Sequence, residues 1–123
     1  MIRIVGLQRN ESTAQEFVLL QNQGSLRLSL RGHLVVSDAA IEHSDLSFAA
    51  HAFNDDVQVP PGMYILLATG RGNPRWVRTK EGALVYYAYM NRDTSVWERA
   101  SGSVHVLCPQ HTFAERAPAL LLS

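Results

Sequence analysis

The chain has 123 residues, a length typical of one domain, and its composition, 46% hydrophobic and 18% charged, excludes a disordered protein. Eleven basic residues balance eleven acidic ones, which excludes a general electrostatic attraction to nucleic acid or anionic lipid. The single cysteine excludes an intramolecular disulfide and a cysteine-rich zinc site.

Residues 1–123 are expected to form one domain, built from short strands that begin at the N-terminus. The strands predicted in the first third of the chain cover residues 2–5, 16–21, 26–30 and 33–37. Leucines at alternate positions of the third strand have the period of a half-buried strand. Asn22 and Gly24 are expected to form a turn with positive φ, and Gly32 permits a bulge where the chain changes sheet.

Residues 38–56, hereafter the acidic segment, contain five acids and neither lysine nor arginine. The alanines of this segment suit a short helix, but its large apolar residues do not line one helical face. We therefore expect a long loop with a short strand or a turn. The five acids are Asp38, Glu42, Asp45, Asp55 and Asp56.

The second half of the chain also reads as strands separated by turn residues. The predicted strands cover residues 57–59, 63–69, 76–77, 83–90, 94–98 and 104–108. The run 63–69 is continuously apolar and is predicted to be the most buried strand, with Ile65 and Leu67 in the core. Short strands with turns every few residues predict an all-β fold, either an antiparallel β-sandwich or a barrel.

Four stretches of the chain, in the same order, resemble a lamin-tail domain. Glu16-Phe-Val-Leu-Leu-Gln-Asn-Gln-Gly24 and Leu30-Arg-Gly-His-Leu34 are similar to the first half of that family. Val59-Pro-Pro-Gly-Met-Tyr-Ile-Leu-Leu67 resembles the Pro-Gly entry into its central strand. Asp93-Thr-Ser-Val-Trp97 and Ser101-Gly-Ser-Val104 resemble its closing hairpin.

This resemblance covers most of the chain and implies an immunoglobulin-like, antiparallel β-sandwich. The family mostly serves as a binding or interaction module, so the resemblance also implies that role for this chain. The chain departs from the family pattern at His33, where the family usually has an aromatic residue, often tryptophan. The acidic segment has no counterpart that can be aligned.

Residues 71–80, hereafter the basic segment, form the strongest surface signal in the sequence. This segment contains four cations, an indole and no acid. Arginine beside an aromatic residue is typical of protein-interface hot spots and of sites that contact nucleic-acid backbones. The residues predicted to form an interface are Arg71, Arg75, Trp76, Arg78 and Lys80.

The histidines and acids do not have the spacing of a metal site. His43 and His51 lie near three aspartates of the acidic segment, but no His-x-His or His-Glu-x-x-His motif exists. The aspartates also lack the spacing of a calcium loop. We therefore expect no metal ligand and no cofactor, and folding that needs no metal.

No catalytic residue is predicted either. Cys108 could act as a nucleophile with His105 or His111 as base, but residues 105 and 108 of a strand point to opposite faces. Cys108 shares its parity with Val104 and Val106, which predicts a buried structural thiol. The glycine-containing stretch 69–74 leads into a strand and not a helix, which argues against phosphate binding.

The sequence therefore predicts a non-catalytic module for protein interaction or self-association. The chain shows neither a signal peptide nor an apolar run long enough for a membrane span, so we expect it in the cytoplasm. Ten arginines against one lysine suggest a bacterium with a high-GC genome.

One alternative to the interaction module is a small metal-dependent enzyme on a cupin-like barrel. Another is a nucleic-acid-binding β domain that uses residues 71–80.

Overall fold

A computed structural model describes residues 1–109 of the chain. Over that range it contains ten strands and one short helix. The strands are β1 (Ile2–Gln8), β2 (Phe17–Asn22), β3 (Leu28–Ser29), β4 (Leu34–Ser37), β5 (Ala50–Ala52), β6 (Gln58–Val59), β7 (Tyr64–Ala68), β8 (Arg75–Arg78), β9 (Leu84–Tyr89) and β10 (Val104–Leu107). The helix is α1 (Asp38–Glu42), between β4 and β5.

The strands form three sheets, with a five-stranded sheet in the order β1-β2-β7-β9-β8. A three-stranded sheet has the order β10-β4-β5, and β3 pairs with β6. The expected all-β class is confirmed, but the expected wholly antiparallel arrangement is wrong, because β7 and β9 are parallel. After β7 the chain skips one place to form the edge strand β8, and β9 then returns between the two.

One hydrophobic core joins the five-stranded and three-stranded sheets. Ile65 and Leu67 of β7 are fully buried in it, as the sequence predicted. Leu66, between them, points to the opposite face of the sheet and is only half-buried. The continuous apolar run of β7 therefore supplies one fully buried face and one partly exposed face. Trp97 is also fully buried, although it lies in a turn.

The acidic segment is more ordered than the sequence predicted. The expectation of a long loop is wrong at its start, where α1 forms one helical turn. Ser37 is the N-cap of α1, and its hydroxyl oxygen accepts a hydrogen bond from the Ala40 N–H at 3.1 Å. A helix this short needs to bury only Ala39 and Ala40, so the remaining apolar residues need not share its face.

One predicted strand is absent from the structure, and another is much shorter than predicted. Residues 94–98 form a turn and not a strand, because the N–H groups of Val96 and Trp97 bond to a side chain elsewhere in the chain. The strand predicted over 26–30 is reduced to Leu28–Ser29, since its partner β6 has only two residues. Leu26, outside that pairing, is 73% exposed.

The glycine turns follow the sequence prediction at one place and differ at another. At Gly32 the chain passes from the two-stranded to the three-stranded sheet, as expected, and the residue has a φ of 92° that was not predicted from the sequence. The positive φ predicted at Asn22 and Gly24 is wrong, since neither residue has one. Asn22 instead holds the turn with its carboxamide, which donates to the Leu26 and Val59 carbonyl oxygens, each at 2.9 Å.

Candidate interaction surface

The basic segment lies at one edge of the five-stranded sheet. Its middle part is β8, which pairs with β9 on one side and is the last strand of the sheet. The hairpin after β8 closes at Gly82, whose φ of 88° suits glycine. The five predicted interface residues are all exposed, and the structure brings them together on this edge and its two flanking loops. They are Arg71, Arg75, Trp76, Arg78 and Lys80.

Arg75 is held over aromatic side chains of β9. It lies opposite Tyr87 in the strand register, and the carbon of its guanidinium group is 5.1 Å from the centre of the Tyr87 ring. The same guanidinium donates a hydrogen bond to the Tyr89 hydroxyl at 2.8 Å. Contact of this kind orders an exposed arginine at a modest gain, about 0.5–1 kcal/mol for a cation on a ring. One charge of the surface is thus fixed in position.

Trp76 occupies the other face of β8, where it packs on Tyr86 with ring centres 5.3 Å apart. Its side chain is 38% exposed, so it is neither a core residue nor a fully solvated one. The Tyr86 hydroxyl donates to the Asp55 carboxylate at 2.6 Å. Burial first, and then the bond to Asp55, raise the pKa of Tyr86 above its ordinary value, so the hydroxyl stays protonated and keeps donating.

The charges of the basic segment are only partly neutralised. Arg71 forms an ion pair with Asp93 at 2.8 Å, with both side chains mostly exposed. Arg78 donates to the Gly82 carbonyl oxygen at 3.0 Å. Within residues 1–109 the only other contact of this kind between a basic and an acidic side chain joins His105 to Asp38, so Arg75, Arg78 and Lys80 have no carboxylate partner there. The acidic segment therefore does not bridge to the basic segment.

The glycines of the stretch 69–74 have a packing role. Gly72 lets the Tyr89 ring lie against the backbone, and an added Cβ would overlap that ring. The Gly72 N–H donates to the Asn91 side-chain oxygen at 3.2 Å. This stretch therefore leads into β8 as a packed connection to β9, and not into the helix that a phosphate cradle needs.

Glu16 is a buried carboxylate to which sequence analysis gave no chemical role. Its Oε1 accepts from the Thr69 hydroxyl at 2.8 Å and from the Val96 and Trp97 N–H groups at 2.8 and 3.1 Å. Its Oε2 accepts from the Glu98 N–H at 2.8 Å. Burial raises the pKa of Glu16, but these hydrogen bonds together lower it below the ordinary value, so the group stays ionised. This carboxylate, hereafter the Glu16 clasp, is structural.

A signal for the Glu16 clasp does exist in the sequence. Glu16 lies immediately before β2 and has the same parity as residues 18, 20 and 22 of that strand, and all four are buried. An acid with the parity of Val18 and Leu20 must either interrupt the buried face or be fully hydrogen-bonded inside it. Glu16 lies inside the buried face, and both of its carboxylate oxygens accept hydrogen bonds there.

The predicted buried thiol is wrong, since Cys108 is exposed. It lies just after β10 ends, where alternation no longer carries it into the core. Its Sγ donates to the Ile2 carbonyl oxygen at 3.4 Å. His105 does not face it, because its Nε2 lies 2.5 Å from Asp38 Oδ1. The other base considered, His111, lies outside the described residues.

His33 is buried at the position where the resembled family usually has an aromatic residue. It is 4% exposed, and its Nδ1 lies 3.0 Å from the Leu30 carbonyl oxygen. Burial lowers the pKa of His33, although the bond to Leu30 opposes that shift, so the neutral ring is favoured. The imidazole thus fills a core position as an uncharged ring.

The candidate metal residues do not converge. Across residues 1–109, no three His, Cys, Asp or Glu side chains lie together as metal ligands would. His51 packs edge-on against Phe53, with ring centres 4.8 Å apart, and burial lowers its pKa. His43 and Asp45 lie near one another beside α1, without a third ligand.

The Asp38–His105 pair gives a prediction for a titration. The hydrogen bond from His105, and after it the Ser103 N–H, lower the pKa of Asp38 below its ordinary value of 3.8. We expect NMR titration of the Asp38 carboxyl carbon to give a midpoint below 3.8, and His105→Gln to move it upward. Glu81→Gln, in the exposed turn after β8, is the control and should leave the midpoint unchanged. An Asp38 midpoint that does not respond to His105→Gln would contradict the pairing.

Comparison of the chain with known proteins found no matching family model, no similar curated protein and no similar solved structure. Among the residues that the structure describes, no helix is long and apolar enough to cross a membrane.

Proposed function

We propose that this chain is a non-catalytic interaction module that docks a protein partner through the basic segment. The observation that carries the proposal is the charge on β8: Arg75 and Arg78 are exposed and have no carboxylate partner within residues 1–109. An exposed intramolecular pair would add only about 0–1 kcal/mol of stability, so charges left unpaired cost the fold little. Such charges serve encounter and register with an oppositely charged surface.

The aromatic residues beside these charges support the same proposal. Trp76 and Arg75 are residue types that dominate interface energetics, and both are pre-ordered by contacts with β9. Pre-ordering reduces the conformational entropy that a side chain loses on binding. The surface therefore combines exposed cations with a half-exposed indole on a strand and not on a loose loop.

The fold proposed with this function is an immunoglobulin-like β-sandwich of lamin-tail type. A single core between the five-stranded and three-stranded sheets supports the sandwich. The residues that carry the resemblance have structural roles that support it as well. Glu16 clasps the turn at residues 96–98, and Asn22 accepts the Gly62 N–H at its carbonyl oxygen, at 2.7 Å, where the Pro-Gly step enters β7.

Affinity capture with the full chain tests the function. The variant Arg75→Glu/Arg78→Glu reverses the charge of β8. The matched control Arg27→Glu/Arg31→Glu makes the same charge change at exposed positions elsewhere. We expect proteins retained by the wild type and the control to be lost, by at least tenfold, from the β8 variant. Circular dichroism verifies that both variants are folded.

Two outcomes would contradict the proposal. The first is capture of the same proteins by the β8 variant and the control. The second is binding of the wild type to duplex DNA with an affinity that falls steeply with salt, which would favour the nucleic-acid alternative. Sedimentation velocity of the same three proteins separates docking of a partner from self-association of the chain.

A further inference from the structure

The outer edge of β8 exposes backbone groups in a defined pattern. The Thr79 N–H donates to the Ala83 carbonyl oxygen at 2.8 Å, which makes these two residues a hydrogen-bonded pair. Such pairs alternate with non-hydrogen-bonded pairs in an antiparallel ladder, so Val77 also bonds to β9. The N–H and C=O groups of Trp76 and Arg78 therefore point away from β9. These four groups are hereafter the open edge.

The direction of a backbone N–H group in β9 supports this alternation. Leu84 lies across from Arg78 in the register. Its N–H points to the β7 side of the sheet, where the Met63 sulfur lies at 3.2 Å. Within residues 1–109, no side chain or backbone group bonds to the open edge. Pro74 precedes β8 and lacks an N–H, so the open edge begins at Trp76.

The charge around the open edge decides which partner fits it. Arg75 and Arg78 lie on opposite faces of β8, and Lys80 follows in the turn. If a second copy of the chain paired through the same edge, the two β8 strands would lie side by side. Arg75 and Arg78 of one chain would then be close to the same arginines of the other. Like charges across a strand pair are destabilising, and charged residues on edge strands prevent such pairing. An acidic strand would instead meet opposite charge on both faces.

We infer that the open edge of β8 accepts an extended, acidic segment of a partner protein as an added strand. This inference rests on the proposed function and gives its partner a chemistry and a binding mode. The edge offers only two donors and two acceptors, so hydrogen bonds alone would bind weakly. Arg75, Arg78 and Lys80 add the charge, and Trp76 adds an apolar contact.

The test uses the full chain and a synthetic peptide of five Glu-Val repeats. Hydrogen exchange by NMR reports each amide of β8 separately. In the free protein, the Trp76 and Arg78 amides should exchange faster than the Val77 amide, which bonds to β9. At a peptide concentration that occupies nine-tenths of the protein, their exchange should slow by about tenfold. A peptide N-methylated at every residue has the same charge and keeps its carbonyl oxygens, but its N-methyl groups collide with the edge strand and prevent it from lying alongside β8, so it should give no protection.

A pair of variants separates the backbone from the charge. Arg78→Gln and Arg78→Pro both remove the cation, but only proline also removes an N–H of the open edge. We expect Arg78→Pro to bind the Glu-Val peptide about five- to tenfold more weakly than Arg78→Gln. Thermal unfolding verifies that both variants fold. The methylated-peptide comparison needs no variant and decides the question if Arg78→Pro fails to fold.

Each other result overturns the inference in a distinguishable way. If the methylated peptide slowed exchange of the Trp76 and Arg78 amides as much as the unmethylated peptide, the peptide would be bound by charge alone. Slow exchange of the Trp76 amide in the free, monomeric chain would mean that the chain itself covers the edge. Slowing that grows with protein concentration would mean a second copy. No peptide effect, together with loss of captured partners in Arg75→Glu/Arg78→Glu, would refute strand addition and leave the proposed function standing.

Discussion

Glu16→Gln is expected to lower the free energy of unfolding by about 2–4 kcal/mol, because the amide cannot accept at both of its terminal atoms. Either Oε1 or Oε2 becomes an NH₂ group facing N–H donors. The Val96 and Trp97 N–H groups lie on one side and the Glu98 N–H on the other. Urea unfolding at neutral pH measures the loss. Glu11→Gln, at an exposed position nearby, is the control and should change stability by less than about 0.5 kcal/mol.

The Glu16 clasp also predicts how that loss depends on pH. The pKa of Glu16 is lowered in the folded protein from its ordinary value of 4.5. The stability that ionised Glu16 contributes is therefore full above pH 4.5 and is lost as the pH falls through the folded pKa. The difference between wild type and Glu16→Gln should shrink in acid. A difference that grows below pH 4.5 would refute this account.

Leu67→Ala is expected to lower the free energy of unfolding by about 2–5 kcal/mol, the usual cost of a cavity left by a buried leucine. Leu67 is fully buried in the core, where β7 lies between β2 and β9. Leu66→Ala is the matched control on the same strand. Leu66 is half-buried on the other face, and its loss should be about 1 kcal/mol.

Chemical denaturation of the two leucine variants checks this prediction. The two variants remove the same atoms from adjacent positions, so their difference isolates burial from strand propensity. Equal losses would place both faces of β7 in equivalent surroundings. A loss below about 1 kcal/mol for Leu67→Ala would contradict its position in the core.

The strands that the sequence predicted well are those whose own residues determine them. The run 63–69 has enough apolar residues to bury one face of β7 whatever its neighbours are, and Ile65 and Leu67 are buried as predicted. Gly32 was predicted to lie where the chain changes sheet, and the chain does pass there from the two-stranded to the three-stranded sheet. In these cases the local pattern and the tertiary structure agree.

The features that the sequence did not predict depend on residues far apart in the chain. Residues 94–98 have strand propensity, but a carboxylate about 80 positions earlier binds their N–H groups and shapes them into a turn. β9 is inserted beside β7 and runs parallel to it. No local sequence pattern predicts which strand lies beside β7. Cys108 has the parity of a buried residue, but β10 ends before it.

The sequence predicted which residues make up the candidate interaction surface, but it did not predict that they lie on an edge strand. The cluster of cations with one indole is visible in residues 71–80, and the structure places it on one sheet edge. That the middle of the segment is an edge strand depends on β9 returning between β7 and β8. The sequence also could not show that the acidic segment leaves Arg75, Arg78 and Lys80 without a carboxylate partner within residues 1–109.

The Glu16 clasp has a consequence for folding during synthesis. Its N–H donors at Val96, Trp97 and Glu98 are 80, 81 and 82 residues further along the chain. Until Val96, Trp97 and Glu98 have left the ribosome, the carboxylate lacks the three backbone donors of the turn at 96–98, and its burial is less favourable. The Asn10 N–H and the Thr69 hydroxyl can bond to the carboxylate earlier, but the full set of donors around Glu16, and with it the stable packing of β2, forms only once nearly all of the described chain has emerged.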